Sequence, residues 1–281
     1  MARTLSNQEI ICRNEKTNAN QREEYSFVQP ETNSMTKKSL IYILSLSLFI
    51  LSTIPSQAHS DNSTTMAFVY TEVQNSVPFE QVPWDKRNPV ISSQPGFICK
   101  TWLSGLGNNS VGGFYSFDSI ENAQKYVTEF FPAGAMKQGK GHTTRIFDAV
   151  KVKEASQDMG SVDFGGKLDK KPGAFVYTEV QVNVPFEEFP WNERNPILKT
   201  QPGLLAKTWL SGVNTNTVGG FYAFDTIENA KNFALDAFPK SVAKMKAALY
   251  IRIFDAGVVE DASIGMNSPY FVPFPTKGST N

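Results

Sequence analysis

The chain has 281 residues, which is enough for one large domain or two ordinary domains, each with its own core. Its 27 basic and 27 acidic side chains cancel, so nothing in the composition indicates binding to the phosphate backbone of nucleic acids. The 21 phenylalanines are consistent either with well-filled cores or with an aromatic pocket for a planar ligand.

Residues 1–60 have the features of a polar leader followed by a signal peptide or a signal-anchor. Lys37 and Lys38 precede an apolar run that is shorter than a bilayer span of about 20 residues, and small residues follow it up to Ala58. A start at Met35 gives an ordinary secretory signal peptide, whereas a start at Met1 adds a long polar segment. We expect cleavage near Ala58 and a secreted or periplasmic protein. A membrane-anchored protein is the alternative.

The rest of the chain contains two tandem copies of one sequence. An offset of 107 residues aligns QPGFICKTWLSG at 94–105 with QPGLLAKTWLSG at 201–212, and AFVYTEVQ at 67–74 with the identical segment at 174–181. We therefore predict a first domain over residues 61–160, a solvated linker over 161–173, a second domain over 174–267 and an extended tail over 268–281.

Both copies predict the same order of elements. In the first copy, residues 67–74, 97–104, 111–117 and 143–152 have the composition and alternation of strands. Residues 78–93 are interrupted by prolines and predict a short irregular helix with a loop. Residues 120–131 predict a helix, capped by Asp118 or Ser119 and ended by Pro132. This βαββαβ order is typical of a ferredoxin-like unit.

A ferredoxin-like unit covers one face of its sheet with helices and leaves the other face bare. A bare apolar face must be buried, and the simplest partner is the bare face of the second copy. The predicted fold class is therefore α+β, with two tandem ferredoxin-like repeats that form an intrachain pseudo-dimeric barrel. We expect a cavity between the two repeats.

Strand alternation suggests which side chains line that cavity. One face of the strands combines large aromatic side chains with a few polar groups, which is typical of a small-molecule pocket. The predicted catalytic residues are Glu72, Lys100, Trp102, Tyr115, Arg145, Glu179, Lys207, Trp209, Tyr222 and Arg252. An alternative remains open, because the acidic and basic members could pair with each other in a purely structural network.

The pattern QPGFICKTW, followed by an asparagine, GGFYSF and RIFDA, resembles the YdhR-like mono-oxygenases of the dimeric α+β-barrel superfamily. The resemblance implies a barrel that is normally built from two chains and is fused here into one. It also implies oxidation of a phenol or hydroquinone by O₂ without metal or flavin, in a site lined by Trp, Asn, Tyr and Arg. Asn109 and Asn216 match the asparagine by position, and we add Phe117 and Phe224 as further substrate-binding residues.

The chemistry implied by the resemblance requires a base, because a phenol must lose its proton before it can donate an electron to O₂. We expect Glu72 to accept this proton, while Lys100 or Arg145 stabilises the phenolate and then a peroxide. An aromatic cavity would hold the ring and exclude water.

No metal or cofactor is expected. His59 lies at the predicted cleavage point, and His142 corresponds to Leu249 in the second copy, so the sequence has no cluster with ligand spacing. The expected partner is a small aromatic or apolar ligand, with no nucleic acid and with membrane contact only through an uncleaved anchor. We expect a monomer or a homodimer.

Two classes of function are consistent with the sequence. The first is a cofactor-independent mono-oxygenase that acts on a small aromatic substrate. The second is an exported, non-catalytic binder of a small apolar ligand, or a stress-related protein with the same barrel. A cyclase on this barrel is a third possibility, since fold does not fix function.

Overall fold

The computed structural model describes residues 64–271. The predicted leader and signal sequence (1–60) and residues 272–281 of the predicted tail lie outside the described residues. No helix between residues 64 and 271 is both long enough and apolar enough to span a bilayer.

Each repeat forms a four-stranded antiparallel sheet with helices on one face. The first repeat contains β1 (Ala67–Gln74), α1 (Trp84–Ser92), β2 (Phe97–Ser104), β3 (Ser110–Phe117), α2 (Ile120–Lys125), α3 (Phe131–Lys137), β4 (His142–Asp148) and α4 (Lys153–Asp158). The second contains β5 (Ala174–Gln181), α5 (Trp191–Lys199), β6 (Leu204–Ser211), β7 (Thr217–Phe224), α6 (Ile227–Asn232), α7 (Phe238–Ala243), β8 (Leu249–Asp255) and α8 (Glu260–Ile264). The strand orders β2-β3-β1-β4 and β6-β7-β5-β8 confirm the two ferredoxin-like units.

The helix after β3 does not end at Pro132, and that prediction is wrong. A π-helical turn over Tyr126–Phe130 joins α2 to α3, and within it the Phe131 N–H donates to the Tyr126 carbonyl. Pro132, which has no N–H, then lies in the first turn of α3, where it breaks no intrahelical bond. The helix therefore continues to Lys137 and covers more of the sheet.

The two sheets face each other, and aromatic rings fill the space between them. Tyr70 stacks on Tyr177 with ring centroids 3.8 Å apart, and Phe114 stacks on Phe221 at 4.4 Å. Single backbone bridges connect the end of β2 to β8 and β4 to the end of β6, which closes the barrel within one chain. The predicted central cavity between the repeats is wrong, because these rings occupy its place.

The segment after each fourth strand crosses to the other repeat. Beyond α4, the Met159 carbonyl accepts the Lys207 N–H at 3.3 Å, and the Ser161 and Thr208 hydroxyls bond at 2.7 Å. The segment after α8 contacts β2 in the same way. Because Ser161 is buried here, a solvated linker is wrong for the first residues of 161–173. The tail is likewise buried at Tyr270.

Candidate functional site

The register of the strands divides the predicted site residues between two faces. Side chains that pair across neighbouring antiparallel strands share a face. Lys100 pairs with Tyr115, and both face the helices of the first repeat. Tyr70 pairs with Arg145 and faces the second repeat. The prediction of one common face is therefore wrong, because alternation gives the two faces of each strand but not how they match between strands.

A cavity of about 370 Å³ lies between the sheet and the helices of the first repeat. Lys100, Trp102 and Tyr115, on β2 and β3, form its floor. Its walls come from α1, the π-helical turn and α3, and include Arg87, Ile91, Tyr126, Phe130, Phe131 and Gln138. Its volume is within the range of about 300–1,000 Å³ that is usual for small-molecule sites.

Trp102 is held in place by hydrogen bonds at both ends. Its indole N–H donates to Asn88 Oδ1 on α1 at 2.9 Å, and Asn88 Nδ2 donates to the Ala262 carbonyl on α8 at 3.0 Å. Its backbone N–H donates to Ser263 Oγ at 2.9 Å. A helix of the second repeat thus fixes part of the floor of the first repeat's cavity. The indole is a rigid apolar surface with its polar atom satisfied.

Lys100 is the unusual group of the cavity floor. Its side chain is 1% exposed, and Nζ lies 2.8 Å from the ring centroid of Trp102 and 4.9 Å from that of Tyr115. A side chain at Gly113 would not fit, because its Cβ would lie 2.5 Å from Lys100 Cε. Within residues 64–271 no carboxylate forms an ion pair with this amine.

Burial holds the pKa of Lys100 well below its ordinary value, and the charge of Arg87 lowers it further. Burial and the neighbouring guanidinium thus both favour the neutral amine, which is the form that can accept a proton from a bound acid.

Two tyrosines add hydroxyl groups to the cavity. The Tyr115 hydroxyl lies 3.2 Å from the Thr71 hydroxyl. The ring centroids of Tyr115 and Tyr126 are 5.1 Å apart. Burial raises the pKa of Tyr115 to about 12, although hydrogen bonds with Thr71 and Tyr126 oppose the shift. Burial also raises the pKa of Tyr126 well above its ordinary value. Both phenols stay protonated at neutral pH and can donate hydrogen bonds.

The second repeat retains the floor of this site but not its space. Lys207 Nζ lies 2.6 Å from the ring centroid of Trp209, whose indole N–H donates to Asn195 Oδ1 at 2.8 Å. Burial, followed by the charge of Arg194, holds the pKa of Lys207 well below its ordinary value. The cavity here is only about 70 Å³. It is too small for an aromatic ligand.

Larger side chains at four positions reduce the space, although Ala237 replaces Phe130 in the opposite sense. At equivalent positions, Phe189 replaces Val82, Ser241 replaces Gly134, Val242 replaces Ala135 and Met245 replaces Gln138. The Phe189 ring packs against Trp209, with centroids 5.7 Å apart. Phe233 replaces Tyr126, so one hydroxyl is also missing from this side.

Glu72, the predicted base, lies on the opposite face of the sheet from the cavity. It forms an ion pair with Arg252 and accepts hydrogen bonds from Tyr70 at 2.6 Å and Tyr250 at 3.0 Å. Burial favours its neutral form, but hydrogen bonds from Ser110 and Tyr70 and the charge of Arg252 outweigh burial and lower its pKa. Glu72 therefore belongs to a network of paired charges between the repeats.

Arg145 and Glu179 form the equivalent pair on the other side of the barrel, at 3.1 Å. The arginine is half exposed there and lines a groove of about 300 Å³ rather than either cavity. The glutamates and arginines among the predicted site residues thus pair with each other across the barrel, which is the structural network that the sequence left open. The two lysines are not part of this network.

The four predicted substrate-binding residues do not line the cavities. Asn109 and Asn216 are exposed turn residues, and their backbone carbonyls accept hydrogen bonds from Asn75 and Val182. Phe117 and Phe224 are fully buried; the Phe117 ring lies 5.2 Å from that of Tyr126.

The sequence-based prediction missed the contribution of α1. Its Asn88 orients Trp102, and its Arg87 lies at the cavity. A signal was present, because the tripeptide RNP occurs at the same place in both copies, at 87–89 and 194–196. Within residues 64–271, no three His, Cys, Asp or Glu side chains lie close enough together to bind a metal ion.

A family model described as "Putative mono-oxygenase ydhR" matches residues 84–156. The match confirms the resemblance over these residues of the first repeat. The matched segment contains α1 and the whole floor of the larger cavity. No curated protein sequence matches the chain.

Several solved structures are similar to the chain. An anthrone oxidase-like protein is 15% identical with a TM-score of 0.45, over 69% of this chain and 94% of its own. A ferredoxin-fold protein related to antibiotic biosynthesis mono-oxygenases, from Listeria monocytogenes, is 11% identical with a TM-score of 0.38, over 68% and 96%. Chlorite dismutase from Candidatus Nitrospira defluvii is 7% identical with a TM-score of 0.41, over 71% and 96%.

Proposed function

We propose that the larger cavity is the site of a mono-oxygenase that oxidises a phenol- or quinol-type aromatic compound with O₂ and without a cofactor. The observation that carries the proposal is the position of Lys100. A buried amine without an acidic partner among the described residues lies on the floor of a 370 Å³ aromatic cavity. The match of residues 84–156 to a mono-oxygenase family supports the same reaction class.

Lys100 replaces Glu72 as the base in this proposal. A phenol bound against Trp102 transfers its proton to the neutral Nζ and becomes a phenolate. The transfer produces an ammonium–phenolate pair, so the new positive charge is compensated inside the cavity. Tyr115, which stays protonated, donates a hydrogen bond to the phenolate or to the peroxide that follows.

For an anthrone, whose phenol tautomer has a single C–H at the carbon that is a methylene group in the keto form, the reaction balances as follows. The phenolate transfers one electron to O₂, and the resulting carbon radical and superoxide combine to form a C–O bond. The Lys100 ammonium returns its proton to the peroxide. Loss of water across the O–O and C–H bonds then leaves a carbonyl. The methylene carbon loses four electrons, O₂ gains four, and its second atom leaves as water.

A non-catalytic binder is the second candidate, and one observation favours it. Lys207 and Trp209 keep the same stacked arrangement in the second repeat, where about 70 Å³ of space remains. A Lys–Trp pair is therefore compatible with a cavity that holds no substrate. In this function the larger cavity would bind an apolar ligand without turnover.

Oxygen consumption by the purified chain tests the proposal. The protein, treated with a chelator and shown by its absorbance spectrum to lack flavin and haem, is given a panel of quinols and anthrones under ¹⁸O₂. We expect uptake with at least one compound and one ¹⁸O atom in its product. If no compound supports uptake, but one binds and is recovered unchanged, the protein is a binder.

We also propose that residues 1–58 direct export, with cleavage near Ala58. The measurement is the N-terminal sequence of the protein recovered outside the cytoplasm of a bacterial host. A mature protein that keeps residues 1–58 would contradict it.

A further inference from the structure

We propose that the natural ligand of the larger cavity carries a carboxylate beside its phenol, and that Arg87 and Lys137 bind this carboxylate at the cavity entrance. The inference rests on the proposed function for the identity of the ring, but its evidence comes from the charges around the cavity. It narrows the substrate to a hydroxylated aromatic acid.

The charged side chains that line the cavity are all basic among the described residues. They are Lys86, Arg87, Lys100 and Lys137. Within residues 64–271, none of them forms an ion pair with a carboxylate. Eight basic side chains elsewhere in residues 64–271 do form such pairs, for example Lys151 with Glu187 at 2.9 Å. An anionic ligand would supply the missing negative charge.

The position of Arg87 suits this role. It lies on α1, and its Nη2 donates to Gln138 Oε1, just beyond α3, at 3.4 Å. The guanidinium therefore bridges the two helices that form the cavity walls. Its charge also reaches the Lys100 amine, whose pKa it lowers after the larger effect of burial. A carboxylate at the entrance can accept two hydrogen bonds from this guanidinium.

The second repeat provides an internal contrast. Arg194 is retained there, but Glu193 replaces Lys86 and Met245 replaces Gln138. The described residues that line the smaller cavity include only two basic side chains, Arg194 and Lys207. The excess of positive charge thus accompanies the cavity that has room for a ligand.

Equilibrium dialysis with a matched pair of probes tests the inference. The full chain is dialysed at pH 7.5 under argon against 1-hydroxy-2-naphthoate or its neutral isostere 1-hydroxy-2-naphthamide. We expect the naphthoate to bind about five- to tenfold more tightly at low salt, with the preference shrinking at high salt.

The double variant Arg87→Gln/Lys137→Gln should bind both probes equally. The equivalent double variant Arg194→Gln/Lys244→Gln, in the second repeat, should keep the preference. These positions are at the surface, and a thermal melt checks that each variant folds. Equal binding of the two probes by the unaltered chain, a preference that survives in Arg87→Gln/Lys137→Gln, or binding of neither probe would overturn the inference.

The inference and the proposed function fail differently. Dialysis under argon requires no turnover, so a preference for the naphthoate without oxygen uptake by any substrate supports the inference and refutes the oxygenase. Oxygen uptake with neutral quinols, together with equal binding of both probes, refutes the inference alone.

Discussion

The two repeats share one arrangement of a buried lysine over a tryptophan ring and differ in the space above it. Lys100 over Trp102 in the first repeat is matched by Lys207 over Trp209 in the second, and both lysines have lowered pKa values. The cavities nevertheless differ between about 370 and 70 Å³. Building the lysine–tryptophan unit and keeping room for a ligand are thus separate properties, controlled by different residues.

The residues that control the space are on the helices and their connections rather than on the strands. The strand residues of the floor are identical in the two copies, whereas Val82, Ala135 and Gln138 have larger counterparts. Larger residues on the helices and their connections can therefore reduce the space in one repeat while the buried floor stays unchanged. We expect the first repeat alone to bind and convert a ligand.

Removing each lysine should produce the largest difference between the repeats. Lys100→Met should lower kcat/KM for oxygen consumption by about a hundredfold or more, since a positioned base contributes about 10²–10⁴-fold. Lys207→Met should leave the rate unchanged because no substrate reaches that amine. The measurement is oxygen uptake with the best substrate of the panel. Equal losses in the two variants would show that both repeats are active.

Exchanging the residues that control the space in the two cavities should close the larger cavity and open the smaller one. Val82→Phe/Ala135→Val/Gln138→Met should abolish binding of 1-hydroxy-2-naphthoate by the first repeat, as measured by dialysis. The reciprocal change, Phe189→Val/Val242→Ala/Met245→Gln, should lower the free energy of unfolding by about 2 kcal/mol or more, because it opens a cavity in a packed site.

The variant Val82→Phe/Ala135→Val/Gln138→Met is called the filled variant below. Urea denaturation should show that the filled variant is at least as stable as the unaltered chain. Undiminished naphthoate binding by the filled variant would show that the larger cavity is not the binding site.

Stability, in contrast to activity, should respond equally to the two lysines. Each folded-state pKa is below the unfolded value, so between the two values the unfolded chain binds a proton that the folded chain does not. The free energy of unfolding should therefore rise with pH through this window and level off above about 10.5. Lys100→Met and Lys207→Met should each raise stability at pH 7 by about 1–3 kcal/mol, by removing a buried amine.

Urea denaturation at pH 7 and pH 9.5 measures this effect. Each single variant should depend less on pH than the unaltered chain, and the double variant least. A loss of stability at pH 7 in either variant would mean that the stacked lysine stabilises its repeat.

The smallest expected effect is at Asp163, whose counterpart in the second repeat is Tyr270. Asp163 Oδ2 accepts hydrogen bonds from Thr208 at 2.5 Å and from Tyr270 at 2.8 Å. Burial raises the pKa of Asp163 to about 6. The neutral carboxyl therefore stabilises the folded chain at low pH, and this stabilisation is lost as pH rises through about 6.

Asp163→Asn keeps an oxygen for both hydrogen bonds and removes this titration. We expect a small rise in Tm at pH 7.5 that disappears near pH 4. A Tm difference that does not change between these pH values would rule out titration of Asp163 as its cause.

The fold was predictable from the sequence because each strand and helix pattern occurs twice, once in each repeat. Strands β1 and β5 are identical octapeptides, and Ser119 was one of two expected caps of α2; its hydroxyl accepts the Asn122 N–H at 3.2 Å. The extension of the helix past Pro132 was not predictable from local propensity. It depends on a π-helical turn, which has no simple sequence signature.

The site was only half predictable. Alternation predicts Lys100, Trp102 and Tyr115 on one face, as the structure has them, but it also predicts Glu72 on that face, whereas Glu72 lies on the other. Alternation within one strand does not give its register with the next, and a bulge between Phe97 and Cys99 shifts β2 further. The difference between the two cavities depends on side-chain volumes in helices that contact the floor only after folding.

The number of ligand molecules bound per chain tests the central claim most directly. Native mass spectrometry of the full chain, titrated with 1-hydroxy-2-naphthoate, should show one bound molecule per chain at saturation. That molecule should be lost in Val82→Phe/Ala135→Val/Gln138→Met. Two equivalent bound molecules, or one that persists in the filled variant, would contradict a functional division between the repeats.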